Sequence, residues 1–212
     1  MTLNEVEVRV LGSLIEKEFT TPDYYPLSLN ALTNACNQSS NRQPVVHFDE
    51  DTVARAAESL REKNLVHRVD RGDSRVQKYR HVMTETMKLE TPDIAVMYVL
   101  MVRGPQTVGE IRTRSNRIHD FPNLAEVEST LDRLMALQPS LAARLPRQTG
   151  QKEMRFAHLL SGDVVLADAE AAAVPSPVDG ERISKLEETI GELRKEVDDL
   201  RAQLEQFRKQ FE

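Results

Sequence analysis

The order of predicted elements repeats along this chain, and this repeat constrains the fold more than any other feature of the sequence. Apolar periodicity and turn signals predict a helix, a helix–turn–helix and an Arg-rich β-hairpin in residues 1–88, and the same order again in 89–161. That order is typical of the winged helix. The sequence therefore predicts a mainly helical α+β chain with two tandem winged-helix domains, a flexible linker over 162–180 and a coiled-coil helix over 181–212.

Capping residues and turn signals place the elements of the first module. Alternating segments over 65–69 and 76–81 predict the two strands of its hairpin, and alternation over 45–48 predicts a further short strand before the third helix. Residues that favour the N-cap position precede the three helical patterns of the first module and the second helix of the second module: Asn4, Ser28, Asp49 and Thr107.

The second module has the same signals at different positions. Thr91 is the expected N-cap of its first helix, with Pro92 at the first helical position. Residues 94–102 are almost all apolar, so this helix is expected to lie at the centre of the module. Residues 141–145 and 153–158 predict the strands of the second hairpin.

Charge and hydropathy indicate a protein that has no contact with a membrane. All of the net charge of −6 lies in 161–212, so the two modules are nearly neutral and would attract nucleic acid only through a basic edge. The longest apolar run, 94–102, is well short of the roughly 20 residues that span a membrane. The N-terminal residues lack the pattern of a signal peptide. We therefore expect a cytoplasmic location.

The residues that could support catalysis or metal binding are scattered along the chain. The five histidines have no metal-ligand spacing with one another or with Cys36, the only cysteine. The glycines form no phosphate-binding loop, and no Ser, His and Asp set can be argued from their order. Cys36 lies on an apolar helix face, which favours a buried structural side chain. The sequence predicts no enzyme activity, no metal and no cofactor.

The candidates for nucleic-acid contact are amide and basic side chains in three places. These places are the turn 37–43, the two hairpins and the segment before the last helix of the second module. Each group has a structural alternative, because the turn could cap two helix ends and the hairpin arginines could pair with neighbouring acids. The candidate residues are Asn41, Arg42, Arg68, Arg71, Arg75, Lys78, Arg112, Arg114, Arg117, Arg147 and Lys152.

The third helix of each module is a poor candidate for base readout, although this helix enters the major groove in a typical winged helix. Its expected exposed residues are mostly acidic, and phosphates repel carboxylates. A solvated face or a protein-contact face is the alternative. These residues are Glu50, Asp51, Arg55, Glu58, Arg61 and Glu62 in the first module, and Glu126, Glu128, Asp132 and Arg133 in the second.

The tail from residue 181 has apolar side chains at the a and d positions of a seven-residue repeat. β-branched residues at a with Leu at d favour a parallel two-stranded coiled coil, so we expect a homodimer. The alternative is a single helix folded back on its own domain. The expected dimerisation residues are Ile183, Leu186, Ile190, Leu193, Val197, Leu200, Leu204 and Phe207.

Three segments carry the pattern of a known family. They are the stretch 20–42, which contains TTPDYYPLSLN, ACNQ and SNR, the stretch LAEVESTL at 124–131, and HLLSG at 158–162. These segments resemble the YceH family, a group of bacterial proteins of unassigned function. The resemblance covers about residues 3–165 and implies tandem winged-helix domains in a cytoplasmic protein. It implies no activity and no ligand.

Two classes of function remain open at this point. A DNA-binding or transcription-associated protein would hold the DNA backbone through its hairpins and the turn 37–43, and dimerisation would supply avidity. A protein-interaction scaffold would instead use the acidic third helices and the tail, since the fold does not determine the function. The hairpin arginines favour the first class, and the acidic helices favour the second.

Overall fold

The computed structural model describes residues 2–69, 76–147 and 153–162 of the chain. Within these ranges it contains seven α-helices and five short strands in antiparallel sheets, which confirms the predicted mainly helical α+β class. Every helix in the described ranges falls short of the length and apolarity that crossing a bilayer requires. The chain divides into two compact units, Met1–Val165 and Leu166–Glu212. All of the described residues belong to the first unit.

The first half of the described chain is built around a three-stranded sheet. Its strands are β1 (Leu27–Ser28), β2 (Val66–Val69) and β3 (Lys78–His81), and they run in the order β1-β3-β2. The short β1 pairs with β3 and places Leu27 opposite Tyr79. The hairpin β2–β3 places Val66 opposite His81. The elements are α1 (Glu5–Thr20), β1 (Leu27–Ser28), α2 (Leu29–Cys36), α3 (Glu50–Glu62), β2 (Val66–Val69), β3 (Lys78–His81) and α4 (Met83–Met87), with a 3-10 turn at Pro22–Tyr24 after α1.

The second half repeats this order with a smaller sheet. The bridge between Gln106 and Phe156 takes the position of β1, since it lies between the first two helices and pairs with the last strand. The backbone amide of each of these two residues donates to the carbonyl of the other, at 2.9 and 2.8 Å. The elements are α5 (Thr91–Arg103), α6 (Val108–Ser115), α7 (Leu124–Ala136), β4 (Ala142–Arg144) and β5 (Phe156–His158).

Most of the helices begin at the residue that the sequence predicts, because a side chain caps the first turn. The Asn4 side chain accepts from the Glu7 amide at 2.9 Å, and the Glu7 carboxylate accepts from the Asn4 amide at 2.8 Å. The predicted caps Ser28, Asp49 and Thr107 are confirmed. The prediction for Thr91 is wrong by one residue, because the helix begins there and Glu90 is its N-cap.

Residues 45–48 do not form the predicted strand. The side-chain amide of Asn37 donates to the Phe48 carbonyl and accepts from the Phe48 amide, both at 2.8 Å. These bonds satisfy the Phe48 backbone, which a strand would otherwise pair with a neighbour. The structure also adds β1 and α4, which the sequence analysis did not predict, and its hairpin strands are shorter than expected.

The two halves share one hydrophobic core, in which α1 and α5 cross closely. The helix α5 is buried from Asp93 to Val102, as the apolar run over 94–102 predicts. Gly12 of α1 makes the close approach possible, since a Cβ atom there would lie 2.8 Å from Val102 Cγ1 and 3.2 Å from Met101 Cβ. The predicted modules 1–88 and 89–161 are therefore packed together through their first helices.

Candidate nucleic-acid interface

The hairpin β2–β3 carries basic side chains on its outer face. His67 lies opposite Arg80, and Val69 lies opposite Lys78, so these four side chains share one face of the hairpin. The other face turns the buried residues Val66 and His81 toward the core. Neither strand contains an Asp or Glu (VHRV and KYRH). The outer face is therefore cationic, although Arg80 also contacts Glu85 at 3.2 Å from outside the strands.

Of the predicted residues on these strands, Lys78 lies on the outer face and Arg68 lies on the opposite face, because Arg68 pairs with Tyr79 and alternates with His67 and Val69 along β2. Arg68 is exposed on β2, and Lys78 is half-buried on β3. The tip of the hairpin, with Arg71 and Arg75, lies outside the described residues. Arg68 and Lys78 thus lie on opposite faces of the hairpin, both near its end next to residues 70–75.

The second hairpin has the same distribution of charge. Its strands (AAR and FAH) also contain no Asp or Glu. Arg144 is exposed and its guanidinium carbon lies 5.5 Å from the centre of the Phe156 ring, a cation–π contact. Arg147 is exposed just after β4, while Lys152 lies outside the described residues.

The third helices carry the opposite charge. On α3 the residues Glu50, Asp51 and Glu62 are exposed, and Glu58 pairs with Arg61 at 2.5 Å on the same helix. On α7 the carboxylates of Glu126, Glu128 and Asp132 are exposed. The only basic residue of α7, Arg133, pairs with Asp93 at 2.8 Å and with Glu90 at 3.3 Å. In both modules the hairpin is basic and the third helix is acidic.

Arg42 lies in the core, not on the surface where a nucleic-acid contact would place it. Its side chain is 0% exposed and forms an ion pair with Glu16 of α1. Its guanidinium also donates to the Ala35 carbonyl at 2.8 and 3.1 Å and to the Gln38 side chain at 3.0 Å. Tyr98 of α5 donates to Glu16 at 3.2 Å. Arg42 therefore ties the turn 37–43 to both α1 and α5 and has no free donor surface for a phosphate.

The segment after α2 is fixed by further contacts from both halves. Arg9 of α1 donates to the Cys36 carbonyl at 3.1 Å and to the Pro44 carbonyl at 2.6 Å. The Gln43 amide donates to the Val102 carbonyl of α5 at 2.8 Å. These bonds hold the turn in one position between the two modules, and they favour the structural alternative for most of it.

Asn41 and Arg114, two of the predicted residues, are linked at the junction of the modules through Arg103 and Gln106. Arg103, at the end of α5, donates to the Asn41 side chain, and Arg114 of α6 donates to the side chain of Gln106. Gln106 in turn donates to the Arg103 carbonyl at 3.1 Å. We call Asn41, Arg103, Gln106 and Arg114 the junction cluster. The sequence analysis did not find Arg103, because nothing in its local pattern separates it from an ordinary C-terminal helix arginine.

The other predicted residues of the second module differ in their contacts. Arg112 donates to the Phe121 and Pro122 carbonyls, both at 2.9 Å, so it closes the turn before α7. Arg117 is exposed and forms no ion pair with the described part of the chain. The eight predicted dimerisation residues, from Ile183 to Phe207, lie outside the described residues.

Burial shifts the pKa values of two groups outside these surfaces, Cys36 and His158. It raises the pKa of the Cys36 thiol to about 11 and lowers the pKa of the His158 imidazole to about 4. His81 is buried, and its Nε2 lies 2.6 Å from Glu18 Oε2. Across residues 2–69, 76–147 and 153–162, no three His, Cys, Asp or Glu side chains are grouped as metal ligands.

The chain is similar over most of its length to a group of named relatives. A "UPF0502 protein" of Geotalea daltonii is 55% identical over 193 residues, which are 89% of this chain and 88% of the relative. Proteins with the same name in Solibacter usitatus and Opitutus terrae are 53% and 51% identical over 192 and 189 residues. The match to the Solibacter usitatus protein covers 90% of this chain and 92% of that relative. The match to the Opitutus terrae protein covers 89% of this chain and 81% of that relative.

Residues 3–151 also match a family described as "Protein of unknown function, DUF480". The resemblance seen in the sequence is thereby confirmed as far as a family of unknown function, and the YceH label stays a prediction. On this match and on the identity to its relatives, the chain belongs to the DUF480 family, whose relatives carry the UPF0502 name.

Proposed function

We propose that this protein is a non-enzymatic, dimeric, cytoplasmic winged-helix protein of the YceH type that binds DNA through its hairpins. The order of helices and strands supports the winged-helix interpretation of both halves, since each has three helices followed by a hairpin whose last strand is central in its sheet. No cofactor and no membrane contact form part of the proposal.

One observation carries the proposal: charge is separated in the same way in both modules. The strands β2, β3 and β4 carry Arg or Lys, β5 carries neither, and none of the four contains a carboxylate, whereas α3 and α7 expose mostly carboxylates. A DNA backbone is attracted to the first surface and repelled by the second. The hairpins would therefore contact phosphates or the minor groove, and the third helices would stay away from the bases.

Such binding would be weak for one module and stronger for a dimer. Few cations are available on each hairpin, and the modules are nearly neutral, so each one would release few counterions. A coiled coil through the tail would place two pairs of hairpins on one DNA molecule and raise the affinity by avidity. Leu193→Lys at a predicted d position tests this step, because a monomer should bind at least about tenfold more weakly.

The first experiment measures binding of duplex DNA by fluorescence anisotropy across a salt series. The variant Arg68→Gln/Lys78→Gln removes two hairpin cations, and Arg55→Gln is the matched control because it removes an exposed cation from α3. We expect the double variant to lower the slope of log affinity against log salt by roughly 1–2, and the control to leave it unchanged.

A different pattern would contradict the proposal. If wild type does not bind at low salt, the DNA function is wrong. If Arg55→Gln weakens binding and the hairpin variant does not, the third helix is the contact and the charge argument fails.

The second candidate function is a protein-interaction scaffold, and the acidic faces of α3 and α7 favour it. A partner with a basic surface would be attracted by Glu50, Asp51 and Glu62. Absence of DNA binding, together with a protein partner that Glu50→Lys/Asp51→Lys releases and Arg68→Gln/Lys78→Gln retains, would support the scaffold over the DNA binder.

A further inference from the structure

The junction cluster is rich in hydrogen-bond donors and poor in acceptors. The side-chain oxygens of Asn41 and Gln106 each accept from an arginine. The Asn41 amide nitrogen then has two N–H groups that bond to no acceptor in the described part of the chain. One terminal nitrogen of Arg103 donates to the side-chain oxygen of Asn41, and the buried Nε of Arg103 has no hydrogen-bond partner in the described part of the chain. The hydrogen bond between Arg103 and Asn41 thus holds unused donors of α5 and of the turn 37–43 next to each other.

Positive charge at this junction also exceeds negative charge. Three arginines surround the turn between α5 and α6, namely Arg103, Arg114 and Arg155. In the described ranges the one carboxylate that pairs with any of them is Glu110, which lies 3.5 Å from Arg114 and 3.3 Å from Arg155. Arg103 has no carboxylate partner in these ranges, and burial together with the neighbouring Arg114 lowers its pKa.

The buried carboxylate of Glu16 acts on Arg103 in the opposite direction, toward a higher pKa, but it does not remove this excess. Glu16 is already paired with Arg42, whose side chain is fully buried. A guanidinium that is partly removed from water and lies beside another cation is stabilised by an anion more than an exposed arginine is. Guanidinium groups match phosphate well, because their planar donors bind two oxygens at once.

We propose that the junction cluster binds a phosphate group, with Arg103 and Arg114 as its cationic ligands and the amide of Asn41 as a further donor. The phosphate belongs either to a small phosphorylated compound or to a nucleic-acid backbone. The cluster adjoins the second hairpin through the pairing of Gln106 with Phe156, but none of the three proposed ligands lies on a hairpin strand, so phosphate binding does not depend on DNA binding by the hairpins. Asn41 is suited to the position, since its φ of 60° is a left-handed conformation that Asn adopts more readily than most residues.

The test is thermal unfolding of the full-length protein in rising inorganic phosphate, with ionic strength held constant by sodium chloride. Wild type is expected to gain about 2–4 °C at saturating phosphate, because a ligand that binds only the folded state stabilises it. The variants Arg103→Gln and Arg114→Gln should lose more than half of that gain. Arg55→Gln is the matched control, since it removes an exposed arginine of α3 that donates to the Thr52 side chain and belongs to neither the junction cluster nor the hairpins.

The differences between variants separate binding from the general effect of phosphate on protein stability, which acts on all variants alike. An equal gain in all four proteins, or no gain in wild type, would overturn the proposal. If Arg103→Gln does not fold, Arg114→Gln decides the question, together with Arg103→Lys, which keeps the charge and should retain part of the gain.

Duplex DNA identifies the source of the phosphate. If Arg103→Gln loses the phosphate effect and also weakens DNA binding, the site holds a backbone phosphate. If it loses the phosphate effect and binds DNA as wild type does, or if wild type binds no DNA at all, the ligand is a small phosphorylated compound. If Arg103→Gln binds DNA as wild type does, Arg68→Gln/Lys78→Gln alone decides the hairpin proposal. If wild type binds no DNA, the hairpin proposal is wrong and the phosphate site is judged by the thermal shifts alone.

Discussion

Replacing Gly12 by Ala tests whether the first helices of the two modules pack as closely as the structure shows. Gly12 lies inside α1, where it faces α5. An added Cβ would lie 2.8 Å from Val102 Cγ1 and 3.2 Å from Met101 Cβ. Neither atom can move alone, because a valine side chain has few rotamers within a helix and a Cβ follows its backbone. The two helices would have to separate by a few tenths of an ångström.

Two opposing terms set the size of the effect. Ala in place of Gly within a helix favours the folded state by about 1 kcal/mol. Overpacking of a close helix crossing costs about 1–3 kcal/mol. We expect the packing cost to exceed the helix gain, so that Gly12→Ala lowers the free energy of unfolding by about 1 kcal/mol. For a chain of this size that corresponds to a decrease of roughly 2–4 °C in Tm.

The assay is urea unfolding followed by circular dichroism, with Gly109→Ala as the matched control. Gly109 is also helical, in α6, but a Cβ there would have nothing within 4 Å, so only the helix gain of about 0.5–1 kcal/mol should remain. A second variant, Gly12→Ala/Val102→Ala, removes the contacted Cγ1 and should show favourable coupling between the two changes. If Gly12→Ala stabilises the protein as much as Gly109→Ala does, the close crossing of α1 and α5 is refuted.

Two further predictions concern buried charge. Arg42→Met should lower the free energy of unfolding by about 3–5 kcal/mol, because it leaves Glu16 buried without its cation. In urea unfolding, Arg42→Met/Glu16→Leu should recover at least half of that loss. A double variant that is less stable than the single variant would contradict this prediction. Burial lowers the pKa of the His158 imidazole from its ordinary value of 6.5 to about 4, so the unfolded chain takes up the proton first as the pH falls. Wild type should therefore lose about 2 kcal/mol more than His158→Leu between pH 7 and pH 5, and parallel pH profiles would contradict the burial of this imidazole.

Features that depend on neighbouring residues were predicted well. The caps Asn4, Ser28, Asp49 and Thr107 were found because a cap bonds to an amide only three residues away. Residues 45–48 have the alternation of a strand, but a strand also needs a partner, and Asn37 provides those backbone bonds instead.

The candidate site was predicted only in part, because exposure is a property of the folded molecule. Arg42 and Arg68 are alike as sequence positions, each a basic residue in a polar segment. Glu16, which is 26 residues away in the chain, pairs with Arg42 in the core, whereas Arg68 stays on the surface of a two-stranded hairpin. Arg103 gains its place in the junction cluster only because the turn after α2 packs against the end of α5.

The sequence by itself determined the order of the helices and hairpins, the repeat and the opposite charges of strands and third helices, because periodicity, caps and charge are local properties. Only the tertiary structure decided which arginines face water, and that Arg103 bonds to Asn41 while Arg114 bonds to Gln106. Burial and pairing of charges depend on contacts between segments far apart in the chain, and these contacts form only when α1 and α5 pack together.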